Sequence, residues 1–219
     1  RPFLKKQEGN RGPVEYQAPA ERVADFRNVT VRYRAVKGEP PKILDNFSLD
    51  IHKGEKIALI GSNGAGKSTM LKLLMGLVHP EQGDVEVKGS RTAAVSREEL
   101  GRTISLVYQN PEEMFIRDSI RKDIEYAMKV RKIPDYEKRT DELLDMFRLT
   151  ELQDRDGRLL SGGQMRRASL AIGIALKPEI LLLDEPTANL DIATRREILK
   201  TLQMLKGVTD TVIIATHDM

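Results

Sequence analysis

The segment Gly61-Ser62-Asn63-Gly64-Ala65-Gly66-Lys67-Ser68-Thr69 joins three glycines to a lysine and the hydroxyl pair Ser68-Thr69. Glycines let backbone N–H groups wrap an anion without Cβ clashes. A helix starting near Lys67 aims its positive end at the same point. The apolar run Ile57-Ala58-Leu59-Ile60 comes just before, so the order is strand, loop, helix, as a phosphate-binding loop requires. Lys67 is then placed to neutralise the β- and γ-phosphates of a nucleotide, Ser68 to ligate Mg²⁺, and Thr69 to add a phosphate hydrogen bond. By itself the loop implies nucleotide binding and no particular use of it.

Two further segments carry chemistry. Ile180-Leu181-Leu182-Leu183-Asp184-Glu185 reads as a buried strand releasing two carboxylates at its C-terminal end, where open α/β sheets bind ligands. Beside a phosphate loop, Asp184 is suited to hold Mg²⁺ directly or through water. Glu185 is suited to polarise the water that attacks the γ-phosphate. Leu160-Ser161-Gly162-Gly163-Gln164 precedes a predicted helix from Met165 to Leu176. Ser161 can cap that helix, and the two glycines leave its N-terminus open to an anion.

The elements that must position these groups alternate. Val23 to Tyr33, Ile43 to Ile51, Ile57 to Ile60, Val85 to Val87, Ile104 to Val107, Ile180 to Leu183 and Thr211 to Ala215 read as strands. Helices are expected from Lys67 to about Leu77, stopped by Pro80, and from about Ala193 to Leu205, ended by Gly207. Between Pro111 and Leu160, apolar residues recur at helical spacing: Ile120, Ile124, Ala127 and Met128, then Leu143, Leu144, Met146, Phe147 and Leu149, with Pro134-Asp135 between. This is a small helical insertion, placed at about 111–170. Strand–helix alternation elsewhere implies an α/β fold with a mainly parallel sheet. Arg1 to Ala20, rich in Pro, Gly and charge, reads as a tail or linker before a domain over 21–219.

Together and in this order, the glycine loop, the Leu-Ser-Gly-Gly-Gln segment and the Asp184-Glu185 strand end resemble the ATP-binding cassette (ABC) ATPases. The resemblance covers about Val23 to Met219. It implies a P-loop NTPase (RecA-like) fold with an N-terminal antiparallel β subdomain and an inserted helical subdomain. It implies ATP and Mg²⁺, with Leu160 to Gln164 binding the γ-phosphate of ATP held by a second cassette, so that two sites form across a homo- or heterodimer. It further implies that Tyr33 stacks on adenine, that Gln109 contacts Mg²⁺ and the attacking water, and that His217 contacts the γ-phosphate. Ala188-Asn189-Leu190-Asp191 resembles the loop that crosses the dimer, although the family more often has Ser at its first position. The family usually continues past His217, so the chain is expected to be truncated there.

The interval from Thr69 to Ser161 is too short for a long coiled coil, which argues against a chromosome-maintenance or DNA-repair head. Tyr108-Gln109-Asn110-Pro111-Glu112-Glu113-Met114-Phe115 resembles the corresponding segment of energy-coupling-factor and cobalt/nickel-type importer ATPases. That implies an integral membrane subunit docking near Gln109 to Phe115, with Glu112 and Glu113 facing its basic residues, at the cytoplasmic face of the membrane. The alternative is a soluble cassette protein acting on ribosomes.

Composition is consistent with this. The chain has 219 residues, 40% hydrophobic and 32% charged, enough for one large α/β domain. It contains no cysteine, so no disulfide or cysteine-held metal. Its net charge of +3 is mild and no dense Lys/Arg stripe is present, so no nucleic-acid partner is expected. No apolar run approaches the ~20 residues needed to span a bilayer.

Overall fold

The computed structural model describes residues 20–32, 41–205 and 207–217, with the backbone of Phe3–Lys5. Tyr33 and most of the expected tail lie outside the described residues. In chain order the strands and helices begin with β1 (Phe3–Lys5), β2 (Arg22–Arg32), β3 (Lys42–His52), β4 (Lys56–Ile60), α1 (Lys67–Leu74), β5 (Gln82–Val87), β6 (Ser90–Arg91) and α2 (Arg97–Leu100). There follow β7 (Ile104–Val107), α3 (Ile120–Val130), α4 (Tyr136–Met146), α5 (Gly162–Ile174), β8 (Ile180–Asp184), α6 (Ile192–Met204) and β9 (Thr211–Thr216). The chain divides into two compact units, one of Arg1–Ile104 with Asp210–Met219, the other Ser105–Thr209.

In the first unit, β3, β2, β5 and β6 form an antiparallel sheet. Val23, Phe26, Val29 and Val31 of β2 are buried, and the Phe26 and Phe47 rings meet edge to face at 5.5 Å, an arrangement that adds ~0.5–1.5 kcal/mol to their burial. The same unit holds β4 and β9, paired in parallel with Ile60 opposite Thr216. Part of the stretch read as a tail is strand: β1 pairs antiparallel with β4, Phe3 opposite Ile60. Three residues are too few for periodicity to register. Helix α1 stops short of the expected Leu77, and Gly76 rather than Pro80 stops it. Gly76 has φ 62°, its N–H donates to the Leu73 carbonyl, and the Leu77 N–H donates to that of Lys72. This is a Schellman closure.

In the second unit, β8 is a hydrogen-bonded neighbour of β7 and every residue of β8 is buried. Helices α3 and α4 pack together, and Ile120, Ile124 and Met128 of the one and Leu143 and Leu144 of the other are all fully buried. Phe147 and Leu149 fall just past the end of α4 yet are equally buried. The unit extends beyond the helices of the expected insertion because α5 lies flat on the strands. A Cβ on Gly173 would stand 2.5 Å from Val107 Cγ2 and 3.8 Å from Leu181 Cδ1, a separation only glycine permits.

Candidate functional site

In the first unit the phosphate loop leaves the C-terminal end of β4 and turns into α1 at Gly66. Gly66 has φ 88°, and a Cβ there would meet Ile43 Cγ2 at 3.0 Å. The left-handed backbone favours glycine, and a Cβ would also press on Ile43. Lys67 is almost fully buried, and its ammonium donates to the carbonyls of Gly61 (2.6 Å) and Ser62 (3.1 Å). The cation is thereby held over the loop before any phosphate arrives. Ser68 and Thr69 begin α1, Thr69 buried and Ser68 partly so. Beside the loop lies a cavity of ≈780 Å³ lined by Ile43 to Ser48, Gly61, Ser62 and Ala65. Ser62, Asn63 and Gly64 face solvent. His217 is exposed and directly follows Thr216, the register partner of Ile60. The loop and His217 therefore leave the same end of one parallel strand pair.

In the second unit β8 delivers Asp184 and Glu185, 8% and 5% exposed. Glu185 has φ 46°, a left-handed conformation that costs a non-glycine residue about 1–2 kcal/mol. The strand thus ends abruptly and the second carboxylate is turned out of its alternation. Ala188, noted for lacking a serine hydroxyl, is tied through its backbone N–H to the Glu185 carbonyl at 3.0 Å. Asp191 caps α6, accepting the Thr194 N–H at 3.0 Å and its hydroxyl at 2.6 Å. The Thr194 hydrogen bonds hold the Asp191 carboxyl below its ordinary range.

Ser161 and Gln164 form a complete capping box. The Gln164 N–H donates to Ser161 Oγ at 3.4 Å, and the Ser161 N–H donates to Gln164 Oε1 at 3.1 Å. This moves the helix start to Gly162, three residues before the expected Met165. The two glycines differ in purpose. Gly162 has room, with Leu190 Cδ2 3.7 Å from a Cβ position, whereas a Cβ on Gly163 would stand 2.7 Å from Thr194 Cγ2. Gly162 keeps the helix end open; Gly163 lets α6 approach it.

Gln109, Asn110, Pro111 and Glu112 line a cavity of ≈390 Å³ together with Gly162, Met165, Arg166 and Ala188 to Leu190. Past it, Phe115 is buried against Gly157, whose Cβ position lies 2.3 Å from the ring. The Ile116 and Arg117 N–H groups donate to Asp123 Oδ1 at 2.9 and 2.8 Å. Burial lifts the Asp123 carboxyl above its ordinary range, against those two hydrogen bonds. Two residues here escape a reading of motifs. One is Asp123. The other is Arg166, 3% exposed, which donates through Nη1 to the Tyr108 carbonyl (3.0 Å) and through Nη2 to that of Gln109 (2.8 Å). A signal for Arg166 exists in the pattern: it sits at the spacing of Ser169, Leu170 and Gly173, the buried stripe of α5.

Among the described residues no helix is long and apolar enough to cross a membrane, and no cluster of three or more His, Cys, Asp or Glu could cage a metal.

A family model described as ABC transporter matches residues 44–188. The chain is 36% identical over 203 residues to the energy-coupling factor transporter ATP-binding protein EcfA1 of Oceanobacillus iheyensis, covering 91% of this chain and 72% of that protein. It is 40% identical over 179 residues to EcfA1 of Lacticaseibacillus paracasei, covering 80% and 64%. Among solved structures it is similar to cbiO1 from Clostridium perfringens, part of the ABC transporter complex cbiONQ, with a TM-score of 0.78, 30% identity, and coverage of 90% and 79%. It is equally similar to a dimeric ATP-binding cassette in a post-hydrolysis state bound to ADP and Pi, with a TM-score of 0.77, 30% identity, and coverage of 89% and 88%. With its phosphate loop opening α1, paired carboxylates at the end of β8 and capped Leu-Ser-Gly-Gly-Gln helix, the chain belongs to the ABC transporter family as an ATP-binding and ATP-hydrolysing domain of the α/β P-loop NTPase fold.

Proposed function

We propose that this chain powers an energy-coupling-factor type importer of vitamins or metal ions, working as one of two cassettes on an integral membrane subunit at the cytoplasmic face. The observation that carries the chemistry is the preorganised loop. Lys67 is held by two loop carbonyls and His217 leaves the same strand end, so the groups needed by a γ-phosphate need little rearrangement. The names of the relatives support the transporter class.

Each residue then has a task. The N–H groups of Gly61 to Gly66 and the Lys67 ammonium bind the β- and γ-phosphates, with Thr69 adding a hydrogen bond. Tyr33 stacks on adenine. Ser68, Asp184 and Gln109 offer hydroxyl, carboxylate and amide oxygens, a hard donor set suited to Mg²⁺, which prefers oxygen ligands and shares its shell with phosphates and water. Bound there, Mg²⁺ supplies charge neutralisation on the β- and γ-oxygens. Glu185 accepts a proton from water as its oxygen attacks the γ-phosphorus, and the bond to ADP breaks. His217 hydrogen-bonds the γ-phosphate as charge develops. Ser161, Gly162, Gly163 and Gln164 serve ATP on the opposite cassette, since the phosphate bound by this chain is already wrapped by its own glycine loop. Gln109 to Phe115 receive the membrane subunit, whose movement follows cassette closure and reopening.

The test is Glu185→Gln in the full chain. The variant is expected to bind MgATP with unchanged affinity and to lose hydrolysis by more than ~10²-fold. Hydrolysis near the wild-type rate overturns the assignment.

A further inference from the structure

The buried guanidinium of Arg166 has no use in the chemistry above, and its placement is expensive. It is 3% exposed, and among the described residues its Nε has no hydrogen-bond partner and no carboxylate forms an ion pair with it. It sits in the N-terminal half of α5, the end at which a helix dipole disfavours a cation. Desolvation alone lowers its pKa from the ordinary arginine range. An apolar side chain of similar volume would bury no charge, but it would leave two backbone carbonyls without donors. The reason for arginine here lies in those hydrogen bonds rather than in its charge.

The two carbonyls that Arg166 grips belong to successive residues, Tyr108 and Gln109, where the chain has just left β7 and lost its strand partners. Immediately afterwards the chain enters a 3-10 turn at Pro111, capped by Asn110, whose side chain accepts the Glu112 N–H at 3.3 Å. Backbone carbonyls released from a ladder need donors. The guanidinium is a rigid fork that can serve two acceptors at a fixed spacing, which a lysine ammonium on a flexible stem cannot reproduce. Arg166 lies about 1.4 helical turns from Ser161, about 7.5 Å along α5. One side chain therefore ties the backbone at Gln109 to the helix whose capped N-terminus is Ser161 to Gln164.

We propose that Arg166 is the positioning residue for Gln109: its fork fixes the Tyr108 and Gln109 carbonyls to α5, so that the Gln109 amide and the Ser161 end of the helix move as one piece. The inference rests on the role given above to Gln109, and it adds a determinant of turnover outside the three motifs. Misplacement of a contacting group by ~1 Å costs on the order of 10²-fold in rate, while the phosphate loop is untouched.

The experiment compares wild type, Arg166→Met and Arg166→Lys in the full chain by two readouts. Hydrogen–deuterium exchange without nucleotide is expected to quicken about tenfold in 108–115, with α1 unchanged. In steady-state ATPase assays kcat is expected to fall about 10–100-fold in Arg166→Met with KM within about twofold, Arg166→Lys falling less. Reduced kcat with retained KM, together with quickened exchange confined to 108–115, supports positioning. Unaltered exchange, an unchanged kcat, or a fall in kcat matched by weakened ATP binding overturns it. Should Arg166→Met fail to fold, Arg166→Lys decides: wild-type exchange and wild-type kcat together overturn the proposal. An inactive wild type counts against the proposed function alone, since the exchange readout still decides the hold of Arg166 on 108–109.

Discussion

Substitutions at Ser161 separate the two purposes of the Leu-Ser-Gly-Gly-Gln helix end. As a cap, Ser161 Oγ accepts one N–H at 3.4 Å, beyond the best range for such a bond. Removing it by Ser161→Ala costs about 0.5 kcal/mol, the low end of measured caps, which lowers the melting temperature by only ~1–2 °C in a chain of this length. Aspartate caps as well as serine, so Ser161→Asp keeps the helix intact. It also sets a carboxylate against the γ-phosphate of the partner cassette. Two like charges ~4 Å apart at an interface of effective dielectric ~20 repel by about 4 kcal/mol, a loss on the order of 10³-fold in association at each site. The assay is gel filtration with MgATP of Ser161→Asp combined with Glu185→Gln, beside a thermal melt. The expected result is a monomer that melts with its parent. A folded Ser161→Asp protein that dimerises as well as its parent refutes the placement of this helix on a partner's phosphate.

Gly163→Ala forces a Cβ to 2.7 Å from Thr194 Cγ2, whose hydroxyl is pinned on Asp191. It is expected to destabilise by ~1–3 kcal/mol, and Thr194→Ser, which deletes the methyl and keeps the hydroxyl, is expected to restore most of that in a double-mutant cycle. Burial raises the Asp123 pKa, so the folded state binds the proton more tightly than the unfolded chain, whose value is ~3.9. Stability thus declines as pH rises from ~3.9 through the raised folded value. Asp123→Asn is expected to remove that decline in urea titrations across the acid range, and an unaltered slope contradicts it. Reversing Glu112 and Glu113 to lysine is expected to abolish co-purification of the membrane subunit while basal hydrolysis persists; full co-purification contradicts the docking role.

Local patterns carried the readings that succeeded. The strand, glycine loop and helix from Lys56 to Leu74 were legible because their signals are contiguous in the chain. The strand at Ile180 was legible because complete burial demands an unbroken apolar run. Helix ends were less so: Pro80 was the visible stop, but Gly76 closed α1 first, and the capping box at Ser161 extended α5 backwards. What no local pattern contains is a contact made by the fold. Gly163 is required by Thr194, and Arg166 matters through carbonyls of 108–109, both set by how α5 packs. The left-handed turn at Glu185 is likewise imposed on a residue whose type does not favour it. Tyr33 lies outside the described residues, so its stacking remains a proposal.

Cross-linking between cassettes reports whether the Ser161 helix end reaches a partner's phosphate loop. The chain has no cysteine, so Asn63→Cys in the phosphate loop and Gly162→Cys at the α5 terminus create the only thiols, on a Glu185→Gln background. A disulfide between subunits is expected to form on adding MgATP and to be absent without nucleotide or in a Lys67→Ala variant. Saturating ATP binding with no cross-linked dimer would contradict that placement.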